Sequence, residues 1–265
     1  MRPTERAVPV GDRTVQTREA GDEDGFPVVY FHGTPGSRLD LVFGDAVADD
    51  TVVVADALGL ADFATLGMSG GGPFALATAA VGGDRVTGVG VASGAGPFRL
   101  VPGAVEALDE MDTAANALLP EDPGAAAEAF GLAFEGLRQV VLEGDDRAVL
   151  AAFAERLSAR DRRVLEDPGY GPSVFASMRE GLRPGVDGAA WDNVAWIGPW
   201  DVDLDRVRCP VHLWYGEEDR FAPMAHGEWL ADRLADARLV RRSGEGHFGI
   251  ADHLAEMLAV LAPAP

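Results

Sequence analysis

The stretch DFATLGMSGGGPFALATAA, residues 62–80, places a single serine among glycines, between an apolar run and an alanine-rich tail. The run FATLG from Phe63 has the composition of a short buried strand. The tail GGPFALATAA is typical of a helix with Pro73 in its first turn, where the missing N–H would have no intrahelical partner. Ser69 is therefore predicted at a sharp turn from a strand into a helix.

This turn fits the Gly-x-Ser-x-Gly pattern of a nucleophile elbow, with Gly67 and Gly71 on either side of Ser69. The two glycines let the strand and the helix approach without Cβ clashes, and the strained turn pushes the hydroxyl out above the sheet. A glycine-rich turn that only opens a helix is the alternative. A phosphate loop would need a lysine, which this chain lacks, and a dinucleotide site would need an acidic ribose partner that the sequence does not offer.

The rest of the chain alternates apolar, β-branched runs with alanine- and leucine-rich helical patterns. This alternation predicts an α/β protein with a doubly wound, mostly parallel sheet. The predicted strands begin at Ala7, Thr14, Val28, Phe63, Val86, Val211 and Ala237. Apolar residues recur at helical spacing from position 102 to about 182, so we expect a core of residues 1–100 and 201–265 and a helical cap insertion of residues 101–200.

A serine nucleophile needs a histidine base, which in turn needs an orienting carboxylate. The chain order Ser, Asp, His that belongs to the elbow predicts both downstream. Asp219 follows the run VHLWYG, and His247 lies in GEGHFG after the last predicted strand, with Glu217 and Glu218 as alternative carboxylates. Ser69 Oγ is expected within hydrogen-bond reach of His247 Nε2.

The other four histidines have different expected roles. His212 lies within a predicted strand and is expected in the core, whereas His226 and His253 lie on helical stretches and are expected at the surface. His32 is expected to brace a loop.

The chain resembles the α/β-hydrolase superfamily, specifically its cap-bearing serine members, from VVYFHGTPGSR through the elbow to GEEDRFAP and GEGHFG. The resemblance implies a catalytic triad in which Ser69 attacks, His247 transfers the proton and Asp219 orients His247. The alternative acid position of the family, at the end of the strand in VASGAG, holds Ser93 and Gly94 and offers no carboxylate.

The segment HGTPG, residues 32–36, resembles the oxyanion segment of the same family. The resemblance implies an oxyanion hole made by the backbone N–H groups of Thr34 and Gly70, where two aligned donors stabilise the developing charge. Met68, Trp191 and Trp196 are candidate substrate contacts, with ordinary packing as the alternative role of the tryptophans.

The connection before the elbow departs from the family pattern. Only 30 residues separate His32 from Phe63, whereas a helix, a strand and a second helix would need roughly 40. We therefore interpret DDTVVVADALGL, residues 49–60, as a helix and predict that the sheet lacks one central strand. The sheet should then show a gap, or a direct pairing between the strands that begin at Thr14 and Val28.

Composition excludes several classes of function. The net charge of −21 disfavours nucleic acid and anionic membranes as partners, and the single cysteine, Cys209, cannot form an intramolecular disulfide or a cysteine metal site. Residues 1–13 lack the apolar segment of a secretory signal, so a cytoplasmic location is expected.

These patterns together predict a cofactor-independent serine hydrolase that cleaves a small neutral ester, thioester or amide through an acyl-enzyme. Perhydrolysis and carbon–carbon bond hydrolysis are alternative reactions of the same site. A non-catalytic ligand-binding protein, in which loss of the central strand has degraded the site, is the alternative outside enzymes.

Overall fold

The structure is a computed structural model that describes residues 3–22, 24–37, 39 and 48–262. Each of the seven predicted strands is present in it. The strands are β1 (Thr4–Val10), β2 (Arg13–Glu19), β3 (Val28–Phe31), β4 (Phe63–Met68), β5 (Val86–Ala92), β6 (Val211–Gly216) and β7 (Ala237–Arg242). The last five form one parallel sheet in the order β3-β4-β5-β6-β7, so neighbours in the chain are neighbours in the sheet. The predicted α/β class and parallel sheet are confirmed.

The first two strands stand apart from that sheet. They pair with each other as an antiparallel hairpin, and within the described part of the chain the hairpin shares no ladder with the parallel strands. Val8 and Val10 of the hairpin instead pack against Val54. Of the two arrangements expected for a sheet without its extra strand, a gap or a direct pairing, the protein has the gap.

Ten α-helices are described. They are α1 (Ala48–Leu58), α2 (Gly71–Gly82), α3 (Glu110–Asn116), α4 (Pro123–Glu143), α5 (Asp146–Ala152), α6 (Ala159–Glu166), α7 (Gly171–Leu182), α8 (Asp187–Ile197), α9 (Met224–Arg233) and α10 (Leu254–Leu261). The α1 helix confirms the interpretation of residues 49–60 as helix rather than central strand. Part of the short connection, residues 38 and 40–47, lies outside the described residues.

Alternation along the strands sends neighbouring side chains to opposite faces of the sheet and builds two cores. One core contains Tyr30, Leu66 and Trp214, which pack towards the helical insertion and α10. The other contains Phe31, Phe63 and Leu213, which pack against α2 and α9. The carboxyl ends of β4, β6 and β7 therefore meet along one edge of a sheet that is buried on both faces.

Six helices, α3 to α8, fill the chain between β5 and β6, and no described residue from 101 to 200 belongs to a strand. Helices α3, α4 and α8 contribute to a further core, which contains Phe130 and Ile197 and also Phe98 and Leu119, whereas buried residues of α5, α6 and α7 belong to the core that contains Trp214. We propose that this helical region is the cap, and the boundaries at residues 100 and 201 stay a prediction. No helix in the described ranges combines the length and the apolar character needed to cross a membrane.

Candidate active site

Ser69 occupies the turn between β4 and α2 in a conformation that residues with a Cβ rarely adopt. Its φ angle is +54°, which costs on the order of 1–3 kcal/mol and persists only where the surroundings impose it. The Ser69 N–H donates to Ala92 O at 3.0 Å, and its carbonyl accepts from Gly72 N at 3.0 Å and Ala95 N at 3.3 Å. These hydrogen bonds hold the turn, as the elbow pattern predicts.

Two glycines are required for this turn because there is no room for a side chain. A Cβ on Gly67 would lie 2.2 Å from Gly71 O, and a Cβ on Gly71 would lie 2.2 Å from Phe31 O. Both contacts are to backbone, which cannot move aside without displacing a strand or helix. The spacing of the glycines therefore reflects close packing of α2 against β4 and the end of β3.

Asp219 and His247 form a buried pair on the loops that follow β6 and β7. Asp219 Oδ2 lies 2.9 Å from His247 Nδ1, and the two residues are 6% and 4% exposed. The other carboxylate oxygen accepts hydrogen bonds from Phe221 N at 2.8 Å and Ala222 N at 2.9 Å. Because a carboxylate only accepts, Nδ1 carries the proton in this contact and Nε2 is available to accept one.

The alternative carboxylates are placed differently. Glu217 and Glu218 are exposed, whereas Asp219 is buried. The side chain that contacts His247 is therefore the third residue of the sequence Glu-Glu-Asp.

Two opposing effects determine the charge of His247. Burial opposes ionisation of the imidazole, but the charge and hydrogen bond of Asp219, together with the charge of Asp161, outweigh it. The pKa of His247 is therefore raised above its ordinary value of 6.5. A raised pKa makes the imidazole a stronger base, which is the property that activation of a serine hydroxyl needs.

Ser69 and His247 line the same small cavity, of about 40 Å³, together with Gly33, Thr34 and Met68. Among the hydrogen bonds of the described residues, none joins Ser69 Oγ to His247 Nε2, so that predicted contact stays a prediction. Catalytic hydrogen bonds are often longer in the unliganded state and tighten when substrate binds.

A larger cavity of about 240 Å³ also has Ser69 in its lining, together with Gly70, Thr34 and Trp196. Its apolar lining also includes Phe98, Leu137 and Phe153. Trp191, in contrast, is 50% exposed and is absent from the described lining of both cavities. Of the three side chains predicted to contact substrate, Met68 and Trp196 thus reach a cavity beside Ser69, and Trp191 does not.

Polar groups converge on the backbone next to Ser69. A Cβ placed on Gly70 would lie 3.0 Å from both Thr34 Oγ1 and Trp196 Nε1, so glycine leaves this space open. Thr34 Oγ1 donates to Asp192 Oδ2 at 2.9 Å, which ties the loop after β3 to α8. His32 Nδ1 lies 2.7 Å from Gly33 O, a contact within the same loop.

His226 is buried, so its expected surface position on α9 is wrong. It is 1% exposed, lines the larger cavity and accepts a hydrogen bond from Gly96 N at Nδ1, 2.9 Å away. Burial lowers its pKa to about 4 despite the opposing effects of Asp219 and the Gly96 hydrogen bond. The face of α9 that carries His226 packs against the segment after β5, a tertiary contact that a short helical stretch does not reveal.

Known proteins are similar to this chain in part of its sequence and in its fold. No family model matches the chain. A pimeloyl-[acyl-carrier protein] methyl ester esterase from Aromatoleum aromaticum is 43% identical over 109 residues, which cover 41% of this chain and 43% of that protein. A second esterase of the same name, from Chromobacterium violaceum, matches over 22% of its length. The chain thus matches less than half the length of these curated relatives.

Solved structures match over nearly the whole chain. An α/β hydrolase fold protein from Nakamurella multipartita has a TM-score of 0.63 and 18% identity, covering 97% of this chain and 98% of that chain. A thermophilic esterase from Thermogutta terrifontis has a TM-score of 0.62 and 20% identity, covering 99% of this chain and 100% of that chain. With its parallel sheet and its elbow serine, the chain is an α/β-hydrolase-fold protein, as the resemblance in its sequence implied.

Proposed function

We propose that this protein is a serine hydrolase that cleaves a small neutral ester, with Ser69, His247 and Asp219 as its catalytic triad. The observation that carries the proposal is the buried Asp219–His247 contact of 2.9 Å beside a cavity that Ser69 also lines. The two curated relatives, both methyl ester esterases, support ester hydrolysis.

The proposed reaction begins with proton transfer from Ser69 Oγ to His247 Nε2 as Oγ attacks the ester carbonyl. Asp219 keeps the Nδ1–H oriented and stabilises the imidazolium that forms. The tetrahedral intermediate carries a negative oxygen, for which we assign the backbone N–H groups of Thr34 and Gly70 as donors. Collapse of the intermediate breaks the ester C–O bond while His247 returns the proton to the leaving alcohol.

Water completes the cycle by attacking the acyl-Ser69 ester. His247 accepts one proton from the water, and the same donors stabilise the second tetrahedral intermediate. Expulsion of Ser69 Oγ, reprotonated by His247, releases the carboxylic acid. No group beyond the chain and water is needed for this sequence of steps.

The cavities suggest the size of the substrate. We assign the larger cavity, about 240 Å³ with Phe98, Leu137 and Phe153 in its lining, to a short apolar group of the ester. Trp196 Nε1 is buried without a hydrogen-bond partner in the described structure and lies next to Gly70, so it can donate to a substrate oxygen. The net charge of −21 favours a neutral ester over an anionic one.

Hydrolysis of p-nitrophenyl esters from acetate to octanoate, by the unmodified chain and by Ser69→Ala, tests this proposal. We expect turnover of the short esters with little gain from longer acyl chains, and a loss of at least about 10³-fold in the variant. Circular dichroism should show that the variant keeps its fold, because it loses a single hydroxyl. Equal hydrolysis by the two proteins would place the chemistry elsewhere, and no hydrolysis by either would favour the non-catalytic alternative.

A further inference from the structure

The first turn of α6 carries a carboxylate that is completely buried. Asp161 is 0% exposed, and its Oδ2 accepts a hydrogen bond from Ser158 N at 2.9 Å. The Ser158 hydroxyl in return accepts one from Asp161 N at 3.1 Å, which completes a capping box. Capping explains the hydrogen bond of only one carboxylate oxygen, and it does not require burial, since the capping carboxylate of Asp145 before α5 is exposed.

The second oxygen of Asp161 contacts the loop that carries His247. Its Oδ1 accepts hydrogen bonds from Phe248 N at 2.7 Å and Gly249 N at 2.9 Å, the two residues that directly follow the histidine. On the other side of His247, a Cβ on Gly246 would lie only 2.0 Å from Asp161 Oδ2. The Asp161 side chain therefore joins the helical insertion to the backbone beside His247, and Gly246 leaves room for this carboxylate.

We infer that Asp161 is a positioning residue of the active site, which places His247 from the helical insertion through the backbone of Phe248 and Gly249. This inference rests on the proposed function of His247 as the base. Asp219 orients the imidazole ring of His247 through Nδ1. Asp161 instead fixes the backbone that directly follows His247. Small displacements of a base relative to its nucleophile are costly, because proton transfer depends steeply on distance.

The negative charge of Asp161 also affects the pKa of His247. The ionisable side chains around His247 are Asp219 after β6, Asp161 on α6 and Tyr170 beside the small cavity. Four more form two ion pairs nearby, Glu245 with His253 and Arg160 with Asp252. Burial lowers the pKa of His247, while Asp219 and then Asp161 raise it. Removal of the Asp161 charge should therefore lower the pKa of His247 and move the acid limb of kcat/KM to lower pH.

Asp161→Asn and Ser158→Ala form a matched pair for the test. Asp161→Asn removes the negative charge and disturbs the hydrogen bond from Ser158 N to the residue 161 side chain. Ser158→Ala removes the other hydrogen bond of the capping box and keeps the charge of Asp161. We expect Asp161→Asn to lower kcat by about 10- to 100-fold with little change in KM, and to shift the acid limb downwards. Ser158→Ala should keep the acid limb of the unmodified chain. Equal profiles for Asp161→Asn and the unmodified chain would overturn the inference.

Two further measurements keep the test decisive. An NMR titration of the His247 ring, assigned with His247→Gln, should show a lower pKa in Asp161→Asn and does not depend on hydrolysis. An unchanged pKa there contradicts the inference, whereas absent hydrolysis with a shifted pKa contradicts only the proposed function. If Asp161→Asn does not fold, Gly246→Ala crowds the same carboxylate, and a wild-type kcat in that folded variant also overturns the inference.

Discussion

At the residue scale, two buried histidines near Asp219 differ in what that carboxylate does for them. His247 forms a hydrogen bond with Asp219, and the pKa of His247 is raised. Asp219 acts on His226 only through its charge, and burial lowers the pKa of His226 to about 4. His226 is therefore neutral near pH 7, with Nδ1 occupied by the Gly96 N–H. Only His247 combines a basic nitrogen with a place beside Ser69.

The raised pKa of His247 predicts the pH dependence of the reaction. The base must be neutral to accept the Ser69 proton, so activity is lost as the pH falls through the pKa of His247, above 6.5. We expect the acid limb of kcat/KM to have its midpoint above that value, measured with a short neutral ester.

Replacement of Asp219 provides the control for this prediction. Asp219→Asn removes the largest effect that raises the pKa of His247, so the midpoint should move to lower pH, and kcat should fall by about 10⁴-fold through loss of the correct tautomer. A rate that stays constant down to about pH 5 in the unmodified chain would exclude a histidine base.

At the element scale, the close contact between β4 and α2 depends on the absence of two Cβ atoms. Gly71→Ala would place a methyl group 2.2 Å from Phe31 O, between α2 and the end of β3. We expect the free energy of unfolding to fall by about 3 kcal/mol, since a strand or helix must shift to relieve the clash. Denaturant unfolding followed by circular dichroism measures this loss.

Gly136→Ala is the matched control, because Gly136 lies inside α4 and its Cβ would have no atom within 4 Å other than those of its chain neighbours and its own helix backbone. An alanine there should raise the free energy of unfolding by about 0.5–1 kcal/mol through helix propensity. If both variants changed stability by the same amount in the same direction, the steric requirement at the elbow would be refuted.

The elements themselves could be predicted because their signals are local. Strand β4, the turn at Ser69 and α2 follow from apolar runs, glycines and one proline within residues 62–80. The short connection also indicated a helix in place of a strand, since the residues left over could not form a parallel crossover. The hairpin of β1 and β2 was predicted as two strands, and its separation from the sheet was one of two expected outcomes.

At the scale of the whole molecule, the sequence does not reveal contacts between distant parts of the chain. Asp161 and Phe248 are 87 positions apart, and nothing in the helical pattern around Asp161 distinguishes it from other capping residues. Thr34 and Asp192 are 158 positions apart. Such contacts depend on how the helical insertion lies over the sheet, whereas Asp219 and His247 could be predicted because each follows a strand of that sheet.

The whole molecule is thus a parallel sheet whose carboxyl edge carries Ser69, Asp219 and His247, covered by helices that hold the histidine loop. The proposed reaction depends above all on Ser69 being an activated nucleophile. Labelling of the folded protein with a fluorophosphonate, followed by peptide mass spectrometry, tests this directly. We predict one adduct, on Ser69, that is absent from Ser69→Ala and forms much more slowly in His247→Gln. A folded protein that stays unlabelled at Ser69, or labels there equally fast without His247, would contradict it.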